Sequence, residues 1–217
     1  MNSNNEFDFI SIGDIVTDAF IRINKASVYY DDDTHEEKVC LTNGAKIPYE
    51  FAKVVPGVGN SPNAAVSATR LGLNAALVTN LGDDENGTDI LEALEKNGVN
   101  KEFVKVHPGK KSNYHYVLWH KAERTILIKH EEFEYELPDM GNPRWIYFSS
   151  VGENSMDYHH AIAEFVRTHP NTKLAFQPGT FQIKLGYETL KEIYELSEVF
   201  FCNKEEAQLI LQTREDN

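Results

Sequence analysis

The sequence predicts an α/β protein: a Rossmann-like, mostly parallel sheet with helices on both faces, plus a small β-sheet lid. Three observations predict it. Short apolar runs such as FDFISIG (7–13) and AALVTNL (75–81) read as strands buried on both faces. Segments with helix caps and stops alternate with such strands. Two stretches of period-two apolar residues, at 113–119 and 124–130, break the alternation and read as a sheet with one wet face.

Phe7–Gly13 is the first strand, closed by glycine, and G-D-I-V-T-D carries Asp14 and Asp18 beyond it. A carboxylate just past a buried parallel strand lies where open α/β sheets bind ligands, so Asp18 is a candidate holder of ligand hydroxyls. A solvated loop acid is the plainer alternative. Ala19–Ile23 continues extended. Residues 24–49 lose periodicity and carry Asp31-Asp32-Asp33 and Glu36-Glu37, as in an exposed insertion with short strands. Their spacing does not match an EF-hand loop. Pro56–Gly72, PGVGNSPNAAVSATRLG, is a glycine-rich turn feeding a helix. Gly57 and Gly59 let the backbone approach a ligand. Asn60 or Ser61 can cap the helix, Pro62 suits its first turn, and Gly72 ends it. Free N–H groups at such a helix start suit a hydroxyl-rich or anionic ligand.

Ala75–Leu81 is the second buried strand, Gly82-Asp83-Asp84 its turn. Asn86 can cap a helix to about Asn97, stopped by Gly98. Lys101–Val106 reads as a strand. Asn113–Trp119 and Arg124–His130 are joined by a hairpin-length loop, His120–Glu123. With 24–49 they are expected to form the smaller β element. The lid segments then lie at about 19–50 and 110–131 of one domain spanning 1–217. Arg144–Ser149 restarts the βα pattern. Asn154 or Ser155 caps a helix to about Thr168, and Lys173–Phe176 is a strand. A helix over 187–196, a strand over 198–202 and a helix from Asn203 to Leu211 complete the order.

With 217 residues the chain can bury a core without staples. A net charge of −13 repels phosphate backbones, so nucleic acid is not an expected partner. Two cysteines, Cys40 and Cys202, form no C-x-x-C. The polar N-terminus lacks signal-peptide character and no apolar run reaches membrane-spanning length, so a cytoplasmic protein without membrane contact is expected. The glycines of Pro56–Gly72 form neither a Walker loop nor G-x-G-x-x-G, since Pro62 occupies the third glycine position. His159-His160 lacks the i, i+4 spacing of a zinc pair, and His115 and His120 read as hairpin surface residues.

Four motifs occur in order: G-D-I-V-T-D at 13–18, P-G-V-G-N-S-P-N…R-L-G at 56–72, L-G-D-D-E-N-G at 81–87 and N-K-E-E at 203–206. Together they resemble the ribokinase-like (PfkB-type) family of carbohydrate and nucleoside kinases. Asn63, Arg70 and Gly72 fall in register with that family's first signature, and the resemblance spans residues 7–212. It implies ATP-dependent phosphorylation of a hydroxymethyl group on a sugar or nucleoside, with ATP as co-substrate and Mg²⁺ as cofactor. By the same likeness Asp18 binds sugar hydroxyls, while Gly59, Asn60 and Asn63 cradle the sugar. The 113–130 hairpin is lid, compatible with a homodimer formed through it. Asn203 and Glu206 match the N-x-x-E motif that helps organise Mg²⁺ and the phosphates, without a direct metal ligand. An Asn three residues before a Glu is also a capping pair.

Three departures from the family pattern stand out. Val58 replaces the first of two adjacent glycines, and Gln177-Pro178-Gly179-Thr180 replaces a D-P-N-type sequence. The 217 residues contain no G-A-G-D segment, which in the family supplies the catalytic aspartate and an anion hole. A general base contributes roughly 10²–10⁴-fold and one oxyanion donor about 10²–10³-fold. No catalytic residue is therefore assigned, and these residues alone are expected to bind substrate without turning it over. The alternative is a non-catalytic sugar- or nucleoside-binding or interaction module. An unrelated Rossmann-like nucleotide binder fits less well, lacking the dinucleotide fingerprint.

Overall fold

A computed structural model describes residues 7–213. In chain order it contains β1 (Phe9–Ile12), β2 (Val16–Ile23), β3 (Ser27–Asp31), β4 (Glu36–Cys40), β5 (Tyr49–Val58), α1 (Asn60–Arg70), β6 (Ala75–Gly82) and α2 (Glu85–Lys96). There follow β7 (Val104–His107), β8 (Tyr114–His120), β9 (Glu123–Leu127), β10 (Trp145–Phe148), α3 (Met156–Thr168) and β11 (Lys173–Phe176). The last elements are α4 (Thr180–Leu185), α5 (Tyr187–Leu196), β12 (Ser197–Phe200) and α6 (Lys204–Leu211). The main sheet is six-stranded, in the order β12-β11-β10-β1-β6-β7, and every pairing in it is parallel. A second sheet has the order β5-β2-β8-β9, and β3 with β4 makes a separate hairpin.

Strand alternation sorts the core into two layers. Ile10, Ile12, Ala76, Val78, Ile146, Phe148, Leu174 and Phe176 share one face through the register of β6, β1, β10 and β11. They pack against Tyr158, Ile162 and Val166 of α3 and Leu190 and Ile193 of α5. On the other face Leu77 and Leu81 meet Ala65 of α1 and Ile90 and Leu94 of α2. Each fully buried Leu, Ile or Phe side chain contributes about 1.5–3 kcal/mol relative to exposure. Helix α2 forms where Ile90 and Leu94 fall on one face, and its end is set by Asp84, whose side chain accepts from Gly87 N. Asp84 also accepts from the Ser112 hydroxyl at 2.7 Å. Burial works against its charge, but the Ser112 and Gly87 hydrogen bonds outweigh it and hold the carboxyl below its usual value. The G-D-D turn is thus a structural clamp between α2 and the start of β8.

Several expectations need correction. Asn60 and Ser61 do not cap α1: its N-cap is Gly59, without a side-chain cap, because β5 runs to Val58 and leaves only that residue for the turn. Asp84, not Asn86, caps α2. Strands β3 and β4 of the 24–49 insertion pair only with each other, so the smaller sheet is built instead by β2 and β5 together with the 113–130 segment. Asp18 lies within β2, in that smaller sheet. Asp14 is the acid that directly follows β1. Strand β7 is 104–107 rather than 101–106 and β12 is 197–200 rather than 198–202. No helix among the described residues is long and apolar enough to cross a membrane.

Candidate functional site

The topology singles out one crevice. Strand β1 has β6 on one side and β10 on the other, so the sheet grows first one way and then the other. The carboxyl ends of strands at such a switch point flank the ligand crevice of open α/β sheets. Here the loops after β1 and β10 are stitched together: Asp14 N donates to Ser150 O at 2.8 Å, and Ser149 N to Ile12 O at 2.9 Å.

The floor of the crevice is a buried polar lattice. Ser61 Oγ donates to Ile12 O and lies 2.6 Å from Ser149 Oγ, while Ser11 Oγ donates to Ser61 O. Gln182 is fully buried; its Nε2 donates to Ser149 O at 3.1 Å and its Oε1 accepts from Gly179 N at 2.7 Å. His159 completes the lattice, its Nδ1 2.7 Å from Ser155 O and its Nε2 3.1 Å from Gln182 Nε2. These partners fit one tautomer, with Nδ1 donating and Nε2 accepting. Protonation would put a second donor against the Gln182 amide. Burial holds the His159 imidazole below its ordinary pKa, the Ser155 hydrogen bond opposing and His160 adding to the shift. The unfolded chain therefore takes up a proton that the folded chain refuses. Stability is full above pH of about 6.5 and drains as pH falls toward the lower folded-state value. Thermal melts from pH 7.5 to 5 should show His159→Gln losing less stability on acidification than the parent. Equal slopes would show that His159 does not carry this dependence.

Five titratable side chains stand over the floor. Asp14, buried, accepts from Tyr135 Oη at 2.9 and 3.0 Å, and His130 Nδ1 lies 3.3 Å from its Oδ2. Tyr135 Oη itself accepts from Gly152 N at 2.8 Å. Burial and the Asp14 charge push the Tyr135 phenol well above its ordinary pKa, so it stays a donor. Asp18 and His115 face each other in the β2–β8 register, Oδ1 and Nδ1 3.5 Å apart. Asp18 Oδ1, His115 Nε2 and His130 Nδ1 are buried without a hydrogen-bond partner among the described residues. An unmet buried polar group costs about 1–3 kcal/mol, which water or a bound hydroxyl can relieve. A cleft of ≈ 680 Å³ opens beside it, lined by His130, Gly152, Asn154, Phe181 and Lys184 among others.

The residues expected from sequence are only partly brought together. Gly59 sits at φ 128°, and a Cβ there would lie 3.1 Å from Asp14 O, which ties the start of α1 to the crevice. Asn60 Nδ2 donates to Ser150 Oγ at 3.2 Å. Asn63 lies exposed one turn into α1. Asn203 and Glu206 follow β12, three strands from β1. They form a reciprocal capping box: Asn203 N donates to Glu206 Oε2 at 2.9 Å and Glu206 N to Asn203 Oδ1 at 2.7 Å. Glu206 Oε1 takes no part in the box. No group of three or more His, Cys, Asp or Glu among the described residues is placed to hold a metal ion. A directly coordinated Mg²⁺ does not fit Asn203 and Glu206; one remaining carboxylate oxygen suits a hydrated ion at most.

Sequence reasoning placed His115 and His120 on the surface, and both belong elsewhere. His115 faces Asp18, and His120 is buried with Nδ1 3.1 Å from Ile23 O. It also missed His130, Tyr135 and Gln182. The alternation in β8 was visible, but only the pairing with β2 shows which face its odd residues share.

A parallel sheet with a polar crevice at its switch point and a second, smaller sheet beside it defines a ribokinase-like α/β protein. The pattern of the pfkB family of carbohydrate kinases matches residues 48–217, and the chain belongs to that family. It is 24% identical over 149 residues to an uncharacterized sugar kinase of Archaeoglobus fulgidus, covering 65% of this chain and 59% of the relative. It is 37% identical over 105 residues to the 2-dehydro-3-deoxygluconokinase of Thermoproteus tenax, covering 46% of this chain and 27% of the relative. The fold matches that of Arabidopsis thaliana ribokinase complexed with ribose and ATP, with a TM-score of 0.73 at 15% identity. That match covers 97% of this chain and 65% of the ribokinase, so the chain spans about two thirds of its length.

Proposed function

We propose that the crevice binds the sugar or nucleoside substrate of an ATP-dependent kinase that phosphorylates a hydroxymethyl group. One observation carries this reading: Asp18 presents a buried carboxylate oxygen without a hydrogen bond among the described residues, linked through His115 and His130 to Asp14 just beyond β1. A carboxylate accepts hydrogen bonds from two or more hydroxyls, the groups that distinguish such substrates. Gly59 and Asn60 border the same crevice, and Asn63 extends the cradle from α1. The sheet containing 113–130 acts as lid, and a homodimer through it is compatible with its exposed apolar residues. Asn203 and Glu206 would help hold the ATP phosphates through a water-bound Mg²⁺, which would offset phosphate charge.

The test is direct. Calorimetric titration of a panel of pentoses, hexoses and nucleosides should find a ligand whose heat is lost in Asp18→Ala. No binding anywhere in the panel would sink the reading. Since the 217 residues hold no G-A-G-D segment, we further propose that they bind without phosphotransfer. With ATP, Mg²⁺ and the bound sugar, turnover by the purified chain should stay at background. Phosphorylated product above background would overturn this point and leave the binding reading intact. A binding module without phosphotransfer, the second reading, would show the same heats but stay silent in every longer form of the protein.

A further inference from the structure

The two histidines at the crevice belong to the smaller sheet and its continuation, and their chemistry bears on which sugars enter. His115 is 13% and Asp18 19% exposed at the side chain, and their rows are locked in register. His130 follows β9, its ring centroid 5.1 Å from that of His115 and 5.5 Å from that of Phe181 in α4. Asp18 Oδ1, His115 Nε2 and His130 Nδ1 make no hydrogen bond among the described residues, although Asp18 Oδ1 lies 3.5 Å from His115 Nδ1 and His130 Nδ1 3.3 Å from Asp14 Oδ2. Asp14, on its far side, already accepts from Tyr135.

We propose that His115 and His130 determine specificity: with Asp18 they bind the hydroxyls of a neutral sugar and exclude sugar acids. This rests on the sugar-binding reading above. A neutral imidazole offers one donor and one acceptor, and a hydroxyl is both. A carboxylate followed by two imidazoles therefore matches a run of hydroxyls without any change of charge. A ligand carboxylate would instead be placed beside Asp14 and Asp18. The polar partners of those two acids are Tyr135, His130 and His115, with no Lys or Arg among them. Like charges a few ångströms apart in a partly desolvated site repel strongly. Lys184 lines the outer cleft with Glu131, Glu132 and Glu153, and Lys110, Lys111 and Lys129 line a neighbouring cleft that includes His130, Glu131 and Glu132, so the charges outside the cluster are mixed.

Calorimetry at pH 7.5 on the 217-residue chain tests this with neutral aldoses and ketoses (D-ribose, D-glucose, D-fructose) against D-ribonate, D-gluconate and 2-dehydro-3-deoxygluconate. The best neutral sugar should bind at least ~10-fold more tightly than any acid. His115→Ala should weaken it ~10–100-fold, His115→Asn should recover part of the loss, and His130→Ala should weaken it less. Discrimination between that sugar and its deoxy analogues should shrink in His115→Ala, which a merely structural histidine would not cause. An acid binding as tightly as the neutral sugars overturns the inference while the kinase reading stands. Alanine variants that bind and discriminate like the parent also overturn it. If no sugar of either kind binds, the functional reading fails and takes this inference with it. The comparison of neutral and acidic sugars needs no variant, so it holds even if a substitution unfolds the chain.

Discussion

Gly13→Ala is expected to destabilise the chain by roughly 3–5 kcal/mol, the sum of overpacking and a backbone conformation side chains rarely adopt. The residue sits at φ 154°, and a Cβ there would lie 2.5 Å from Ser61 Oγ, 2.8 Å from Ser149 Oγ and 2.9 Å from Ser150 O. None of these can retreat cheaply. Ser61 Oγ is held by Ile12 O, Ser149 Oγ is held by Ser61, and Ser150 O accepts from Asp14 N. The methyl group would force apart the seam between the β1 and β10 loops. Gly44→Ala is the control: its φ is 71°, but nothing lies within 4 Å of the added carbon. Only the backbone term remains there, about 1–2 kcal/mol. Urea denaturation of both variants separates the two terms. A Gly13 variant no less stable than the Gly44 variant would show that the seam yields.

Asp18→Asn is expected to weaken sugar binding ~10–150-fold, since hydrogen bonds to a charged group contribute about 1.5–3 kcal/mol. The same change should leave the free chain as stable as before, or more so. Asp18 Oδ1 is buried without a hydrogen-bond partner among the described residues, and His115 Nδ1 lies 3.5 Å away. Removing that charge relieves a desolvation cost in the empty crevice. Affinity falling while the melting temperature holds or rises is the pattern of a residue kept for its ligand rather than its fold. Loss of both together would make Asp18 a structural acid and remove the main support for the site.

Much of the sheet could be read locally. Strands β1 and β6 show as mostly apolar runs, interrupted only by Ser11 in the first and by Thr79 and Asn80 in the second, and α5 lies where its 3.6-residue pattern places it. Strand β5 was hidden by Lys53, Pro56 and Gly57, which look like a loop. It tolerates Pro56 because it is the edge of its sheet, where a missing N–H breaks no ladder. Helix α4 spans only six residues after Pro178-Gly179, too few to show a period. At the site, the Gly59–Asn60 turn and Asp18 were legible because their residue types are unusual in their places. His115 and His130 were not. Their placement depends on the parallel pairing of β2 with β8, which sets His115 against Asp18, and on the His115–His130 contact; both join distant segments and leave no local signal. The Asn203–Glu206 pair was legible as both motif and cap, and the structure shows the cap.

The contrast between the crevice floor and β9 has an evolutionary consequence. The floor is cross-linked by Ser61, Ser149, Gln182 and His159, whereas all five residues of β9 are exposed. On the lid reading proposed above, the entropy lost when a ligand is captured would fall mainly on the outer strand, because the floor is cross-linked. Changes along β9 can retune affinity in small steps by altering how readily that strand settles, without touching a ligand contact. Changes in the floor have no such gradation, since each hydroxyl there holds another. On the same reading, drift in substrate preference would be cheapest through the small sheet, while the serine lattice would constrain which routes remain open.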